Sequence, residues 1–496
     1  MSATSAEIHA KLDHPVVDCD GHMIEHMPVF LDFLKQVAGP DIVKRYTESM
    51  RNSRESMWYT LTEEQLKDYR LQRPPFWAFP SKNTEDRATA MLPKLLRSRL
   101  DEFGFDFSIV YPTYGFFLLD ELDDELRQAG CRAQNTMVAD IFGEVKDRLT
   151  PAASIPTNTP EEGIAELEYA VNELGLKAAM IASLNFRQIE AGPPGVSDSG
   201  ERAYWVDNLA LDAAYDYDPF WQACMDLGVA PTAHSRVQGH GWRRSTSSYM
   251  YNQIGHFAEA GAAFGRALFF GGVTNRFPDL NFAILEGGVG WAMTLFATLV
   301  EVYHKRGGEG LKRLDPNTLD RDMMAKLFDE YGGERLAGTY GNEEHLGYAS
   351  TSFNAVIDKA DSRLFDEFTA AGITRAEDIV DRFVDRIWFG CEADDIMIPH
   401  ALRPSGVPFD ARLKATFGSD YGHWDVSDMA GILAESYEMV EDGRADETGF
   451  RDFTFANPVS LHAGMNPNFF KGTVVEEAVD TFLAEEANKK PAVAAE

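Results

Sequence analysis

Cysteine is scarce: Cys19, Cys131, Cys224 and Cys391 are the only four in 496 residues, and no two form a Cys-x-x-Cys pair. That spacing argues against a disulfide framework or a cysteine zinc site and fits reduced thiols. Basic residues are also in short supply, with 46 Lys and Arg against 79 Asp and Glu, a formal charge of -33. Such a balance disfavours nucleic acid and anionic membrane surfaces as main partners, because both are themselves negative. Long apolar runs are missing as well. The stretches at 227–230 and 267–270 fall far short of the ~20 residues that span a bilayer, and positions 1–14 are polar with no apolar leader. The expected location is the cytoplasm. No fixed-period repeat is found, and low complexity is confined to a frayed tail over 488–496.

What the chain does have is a short apolar strand that ends in polar groups, Val16-Val17-Asp18-Cys19-Asp20-Gly21-His22. Residues two apart share one face of a strand, so Asp18, Asp20 and His22 are expected to project together. Three such groups are costly to bury unless a cation meets them. The pattern reads as half of a metal site, or else as ordinary loop polars after a first strand.

Seven further strands follow, over 105–112, 148–156, 175–181, 228–234, 280–288, 386–392 and 413–420, each an apolar, β-rich run bounded by Pro, Gly or polar residues. Helical patterns separate them, at 121–145, 160–174, 220–227, 247–264 and 291–303. Alternation of this kind implies parallel strands covered by helices. Eight units predict a (β/α)8 TIM-type barrel forming one domain over 1–487, with large, mainly helical insertions at about 28–100 and 304–384. Chemistry in such a barrel sits at the carboxyl ends of the strands. Asp20, His22, His234, Glu286, Glu392 and Asp420 all fall at predicted strand ends.

These residues carry a resemblance. Val-Asp-x-Asp-x-His at the start, Thr232-Ala233-His234, Arg276-Phe277-Pro278-Asp279-Leu280 leading into Leu285-Glu286-Gly287-Gly288-Val289-Gly290-Trp291, Phe417-Gly418-Ser419-Asp420-Tyr421, and Asn457-Pro458 occur in order. In that order and spacing the chain resembles the amidohydrolase superfamily, in the branch that holds aminocarboxymuconate-semialdehyde decarboxylase and hydroxybenzoate decarboxylases. The resemblance implies metal ligation by Asp20, His22, His234 and Asp420, with Asp18 as a supporting acid and Glu286 as a further ligand or catalytic group. Zinc, manganese and iron all suit such donors. Asp20 stands where many members have histidine, which moves the preference toward harder metals. Met180-Ile181-Ala182-Ser183 lacks the bridging Lys or Glu of binuclear relatives, so a second metal would need Glu286 or a loop histidine.

For the chemistry, Asp420 is expected as ligand and proton acceptor, Glu286 as a catalytic acid or a helix cap, and His423 with Asp425 as donors to substrate, orienting groups or ligands of a further ion. Glu392 reads as a pocket acid or as a partner of Arg386 or Arg403. Arg243, Arg244 and Arg276 suit a substrate carboxylate or surface pairing, and His240 is expected to be solvated. His26, His256, His304, His345, His400 and His462 show no partner spacing. The function implied is hydrolysis or non-oxidative decarboxylation of a small carboxylic acid or amide. The alternatives are a non-haem, possibly di-iron, oxygenase on the same barrel, and a metal-binding subunit of a hetero-oligomeric enzyme. Oligomerisation, with itself or with a related subunit, is expected from the aromatics in the two insertions.

Overall fold

The computed structural model describes residues 3–51, 58–74, 83–188, 204–234, 237–238, 240–313, 318–341, 366–403 and 407–489. Ten strands form: β1 (Val17–Met23), β2 (Phe107–Pro112), β3 (Leu149–Ile155), β4 (Ala178–Ile181), β5 (Asn185–Gln188), β6 (Tyr204–Asp207), β7 (Pro231–Ala233), β8 (Phe282–Ile284), β9 (Ile387–Glu392) and β10 (Lys414–Gly418). Eight of them make a single sheet in the order β1-β2-β3-β4-β7-β8-β9-β10, and every recorded pairing within it is parallel. The sheet curls until its edges meet. The amide of Asp420 donates to Asp20 O (2.8 Å) and that of His22 to Tyr421 O (3.0 Å), so the chain just past β10 hydrogen-bonds to β1. This is the predicted barrel, and each predicted strand is present.

Burial on both faces explains why these strands are so apolar: β1, β2, β4, β7 and β8 have no exposed residue. The crossovers are helical because their sequences carry start and stop signals. Asp123 accepts from Glu125 N and Leu126 N to open the helix Asp124–Ile141. Thr159 and Glu162 make a reciprocal capping box, with Pro160 at the first helical position of Pro160–Glu168. A wider turn at Tyr169–Glu173 then carries this helix to its expected end. Gly228, at φ 65°, terminates Asp218–Leu227 and leads into β7.

The first insertion folds as helices among its described residues, including Met27–Ala38, Pro40–Arg51, Thr84–Met91 and Pro93–Phe103. The second holds Gly308–Lys312, Arg321–Tyr331, Gly333–Leu336 and Glu367–Ala370. One element was not anticipated: β5 and β6 pair antiparallel beside the barrel. Asp207 anchors this hairpin by accepting from Arg187 Nε (2.9 Å), Leu209 N (2.9 Å) and Ala214 N (3.1 Å). The Gly- and Pro-rich loop read at 192–200 lies outside the described residues, as does His345. Of the tail, the helix Glu476–Lys489 includes its first two residues, and 490–496 lie outside. All four cysteines are buried and unpaired, as their spacing implied. No helix among the described residues is long and apolar enough to cross a membrane.

Candidate metal centre

Strand ends place each group. Asp20 and His22 lie in the carboxyl half of β1; His234 follows β7 directly and extends its ladder, donating from its amide to Ile181 O (3.1 Å). Glu286 and Asp420 each sit two residues past a strand, β8 and β10, and both take left-handed backbone conformations, at φ 55° and 48°. Non-glycine residues rarely adopt that region, and held there they store of order 1–3 kcal/mol each. Here the turn aims both carboxylates back over the barrel mouth.

The regular alternation expected of β1 does not hold. Between Asp18 and Gly21 the register with β2 shifts, so that Asp18 opposes Ser108 while His22 opposes Tyr111. Four residues on β1 thus match three on β2, which is a bulge, and Asp18 leaves the face shared by Asp20 and His22. Asp18 instead accepts from Ser108 Oγ (2.5 Å), Ser419 N (2.9 Å), Ser419 Oγ (2.9 Å) and Asp20 N (3.2 Å). It ties β1 to β2 and to the end of β10.

Around the mouth, His22 Nε2 lies 3.3 Å from both Asp20 Oδ1 and Asp420 Oδ1. His234 Nε2 is 3.1 Å from Glu286 Oε2 and 3.8 Å from Asp20 Oδ1. Asp20, His22, His234 and Glu286 each present a ligand-type atom within 4.8 Å of the others, and so do His22, Glu286, Asp420 and His423. All of these side chains but that of His423 are at most 4% exposed. Even so, the Nε2 atoms of His22 and His234, Asp20 Oδ1, Glu286 Oε2 and both Asp420 oxygens have no hydrogen-bond partner. Buried polar atoms are seldom left so. A divalent cation would satisfy either of these overlapping sets, and their mix of imidazoles and carboxylates suits zinc, manganese or iron.

Charge tells the same story. Burial drives His22 down to about 3, with the Pro112 backbone opposing, and holds His234 well below the usual imidazole range. Burial also raises Asp20 to about 6, and pushes Glu286 and Asp420 well above the carboxylate range with help from neighbouring acids. The imidazoles are therefore neutral, the state that ligates, and burial disfavours the ionised forms of Glu286 and Asp420 unless a cation meets them.

His423 is held from both sides. Thr113 Oγ1 gives its hydrogen to Met23 O (2.7 Å) and so accepts from His423 Nε2 (3.1 Å). Nδ1 lies 2.6 Å from Asp420 Oδ1, in ion-pair range but not aligned as a hydrogen bond. The His423 ring stacks on that of His22, with centroids 3.9 Å apart. Phe116 and Phe257 pack against His234, at 4.2 and 5.1 Å between centroids.

Asp20, His22, His234, Glu286, Asp420 and His423 thus converge, and Asp425 and Glu392 join them: Glu286, Glu392, Asp420 and Asp425 also lie within 4.8 Å of one another. No ion pair links Glu392 to Arg386 or Arg403 among the described residues; Arg403 donates to Gly443 O instead. Arg276 pairs with Asp218 (2.6 and 2.7 Å) and Arg243 with Glu259 (2.5 Å), so both are engaged in surface pairing. His240, expected in solvent, stacks on Phe186 of β5, with centroids 3.8 Å apart. Sequence reading passed over Thr113, although its position directly after β2 satisfies the same strand-end rule that found the others.

A family model described as amidohydrolase matches residues 17–337. No curated protein matches. Among solved structures, the chain is similar to an amidohydrolase from Mycobacterium avium subsp. paratuberculosis, at 14% identity over 91% of this chain and 99% of the other, with a TM-score of 0.47. It is similar to a 2,6-dihydroxybenzoate decarboxylase from Rhizobium, at 16% identity over 92% and 99%, with a TM-score of 0.38. A third is a 5-carboxyvanillate decarboxylase from Novosphingobium aromaticivorans, complexed with manganese and 4-hydroxy-3-methoxy-5-nitrobenzoic acid, at 12% identity over 91% and 97%, with a TM-score of 0.44.

Proposed function

The chain belongs to the amidohydrolase family, and on that premise we propose a metal-dependent enzyme acting on a small carboxylic acid or amide, by hydrolysis or non-oxidative decarboxylation. The observation that carries this reading is the set of buried, unpartnered ligand atoms on Asp20, His22, His234, Glu286 and Asp420. A divalent ion held there supplies Lewis acidity toward a substrate oxygen and lowers the pKa of a water. The chain's own groups move the proton. Asp420 is the proton acceptor, and His423, whose Nδ1 lies 2.6 Å from Asp420 Oδ1, is the group nearest to take the proton on once the two align. Thr113 fixes which His423 nitrogen faces Asp420. Phe116 and Phe257 give the mouth apolar walls that favour a compact substrate and limit water. Neither the oxygenase nor the hetero-oligomeric subunit gains a supporting observation.

The test is turnover of a panel of small carboxylic acids and amides under anaerobic conditions. Release of carbon dioxide or of hydrolysed product, lost on chelation and restored by a divalent metal, supports the proposal. Turnover that requires oxygen, or that survives chelation, overturns it.

A further inference from the structure

We infer that Glu25 is a positioning residue for the reaction: it fixes the backbone that follows β2, and through Thr113 and Phe116 it sets the place of His423 and of the wall beside His22 and His234. The inference rests on the proposed function and adds to it a carboxylate that belongs to none of the ligand sets.

Glu25 stands two residues past β1 and is 3% exposed. Its carboxylate takes four donors. Oε2 accepts from Thr113 N (3.1 Å) and Tyr114 N (2.9 Å), and Oε1 accepts from Gly115 N (3.0 Å) and from Gln134 Nε2 (3.2 Å) on the helix Asp124–Ile141. Three consecutive amides aimed at one buried carboxylate leave that backbone a single orientation. Glutamine in its place would turn an NH2 group toward two of these donors, so that donor meets donor.

What the loop carries reaches the site. Thr113 Oγ1 gives its hydrogen to Met23 O (2.7 Å) and accepts from His423 Nε2 (3.1 Å). Phe116 lies against His22 and His234, with ring centroids 5.8 and 4.2 Å away. The backbone is also closely fitted, since a Cβ at Gly115 would stand 2.5 Å from Pro112 Cγ and 2.8 Å from Ser154 Oγ. Moving 113–115 therefore moves both the hydroxyl that holds the His423 ring and the phenyl ring on His234.

The experiment compares wild type, Glu25→Gln, Thr113→Val and the double variant, each loaded with Mn²⁺, by crystal structure, metal content, circular dichroism and steady-state kinetics on an acid or amide that the wild type converts. In the Glu25→Gln crystal the separation of Thr113 Oγ1 and His423 Nε2 is expected to open beyond about 3.5 Å, out of hydrogen-bond range. Metal content is expected to match wild type, with kcat lower by about 10–100-fold and KM within about twofold. The double variant is expected to be no slower than the slower single, because both substitutions release the same contact. Glu25→Asp, which keeps the charge but shortens its reach by one methylene, is expected to fall between wild type and Glu25→Gln, and it stands in if Glu25→Gln does not fold. An unbroken Thr113–His423 contact, wild-type kcat, loss of the metal, or effects on kcat that multiply in the double variant each overturn the inference. A wild type that converts none of the acids and amides overturns the proposed function instead, and the crystallographic contact then decides the inference alone.

Discussion

Replacing Gly21 by alanine should damage fold and metal centre together, by an amount the geometry sets. Gly21 lies between Asp20 and His22, and a Cβ there would stand 2.5 Å from Tyr421 Cε1 and Oη. Carbon atoms rest about 3.5–4.0 Å apart, so the Tyr421 ring must retreat by about 1 Å. It has nowhere to go: Tyr421 is fully buried and its hydroxyl bonds to Ser108 Oγ at 2.9 Å. Overpacking costs about 1–3 kcal/mol and the strained hydrogen bond about another, for an expected loss of about 2–4 kcal/mol. Tyr421 also carries Asp420 on its amino side and accepts from His22 N (3.0 Å), so metal occupancy should fall with stability. Urea denaturation of wild type, Gly21→Ala, Tyr421→Leu and the double variant measures this. The alanine should cost markedly less in the Tyr421→Leu background than in the wild type, because the ring it strikes is gone. A Gly21→Ala protein within about 0.5 kcal/mol of wild type and with full metal content would refute the reasoning.

Asp420→Asn should keep the circular dichroism of the wild type while turnover drops by about 10²–10⁴-fold, the usual worth of a positioned proton acceptor; retained turnover would mean the chemistry lies elsewhere. His462 is 1% exposed, neither ring nitrogen has a partner, and burial holds it at about 3. The unfolded chain protonates it below about 6.5, so stability is lost as pH falls from there toward 3, by about 2 kcal/mol at pH 5. His462→Phe, packing on Phe469 as the imidazole does, should flatten the stability profile over about pH 5–6.5; an unchanged profile counts against the assignment. Arg127, 1% exposed, donates to Glu162 (2.9 Å), Asp124 (2.6 Å) and Glu121 O (2.8 Å). Arg127→Leu removes the cationic partner of the buried Glu162, leaving it the donors Thr159 N (3.0 Å) and Gln128 Nε2 (3.2 Å), and should cost about 2–3 kcal/mol in the same denaturation assay.

The eight barrel strands were legible because their signal is local. A buried parallel strand is an apolar run bounded by breakers, and its carboxyl end is where a polar residue breaks the run. That rule alone singles out His22, His234, Glu286 and Asp420, which the structure brings together. The pairing of β5 with β6 was not legible, since two four-residue strands flanking a Gly- and Pro-rich stretch look like loop.

Determined by sequence alone were the barrel, the order of its strands and the residue types available at their ends, because periodicity, turn chemistry and composition act over a few residues. Tertiary structure decided the rest. Asp18 was set apart from Asp20 and His22 by a bulge and by bonds to Ser419, 401 positions away. Thr113 met His423 across 310 positions. Glu392 turned toward three other acids where its local sequence offered arginine partners. Contacts of that range exist only once the barrel closes, and it is closure that brings these acids and imidazoles together.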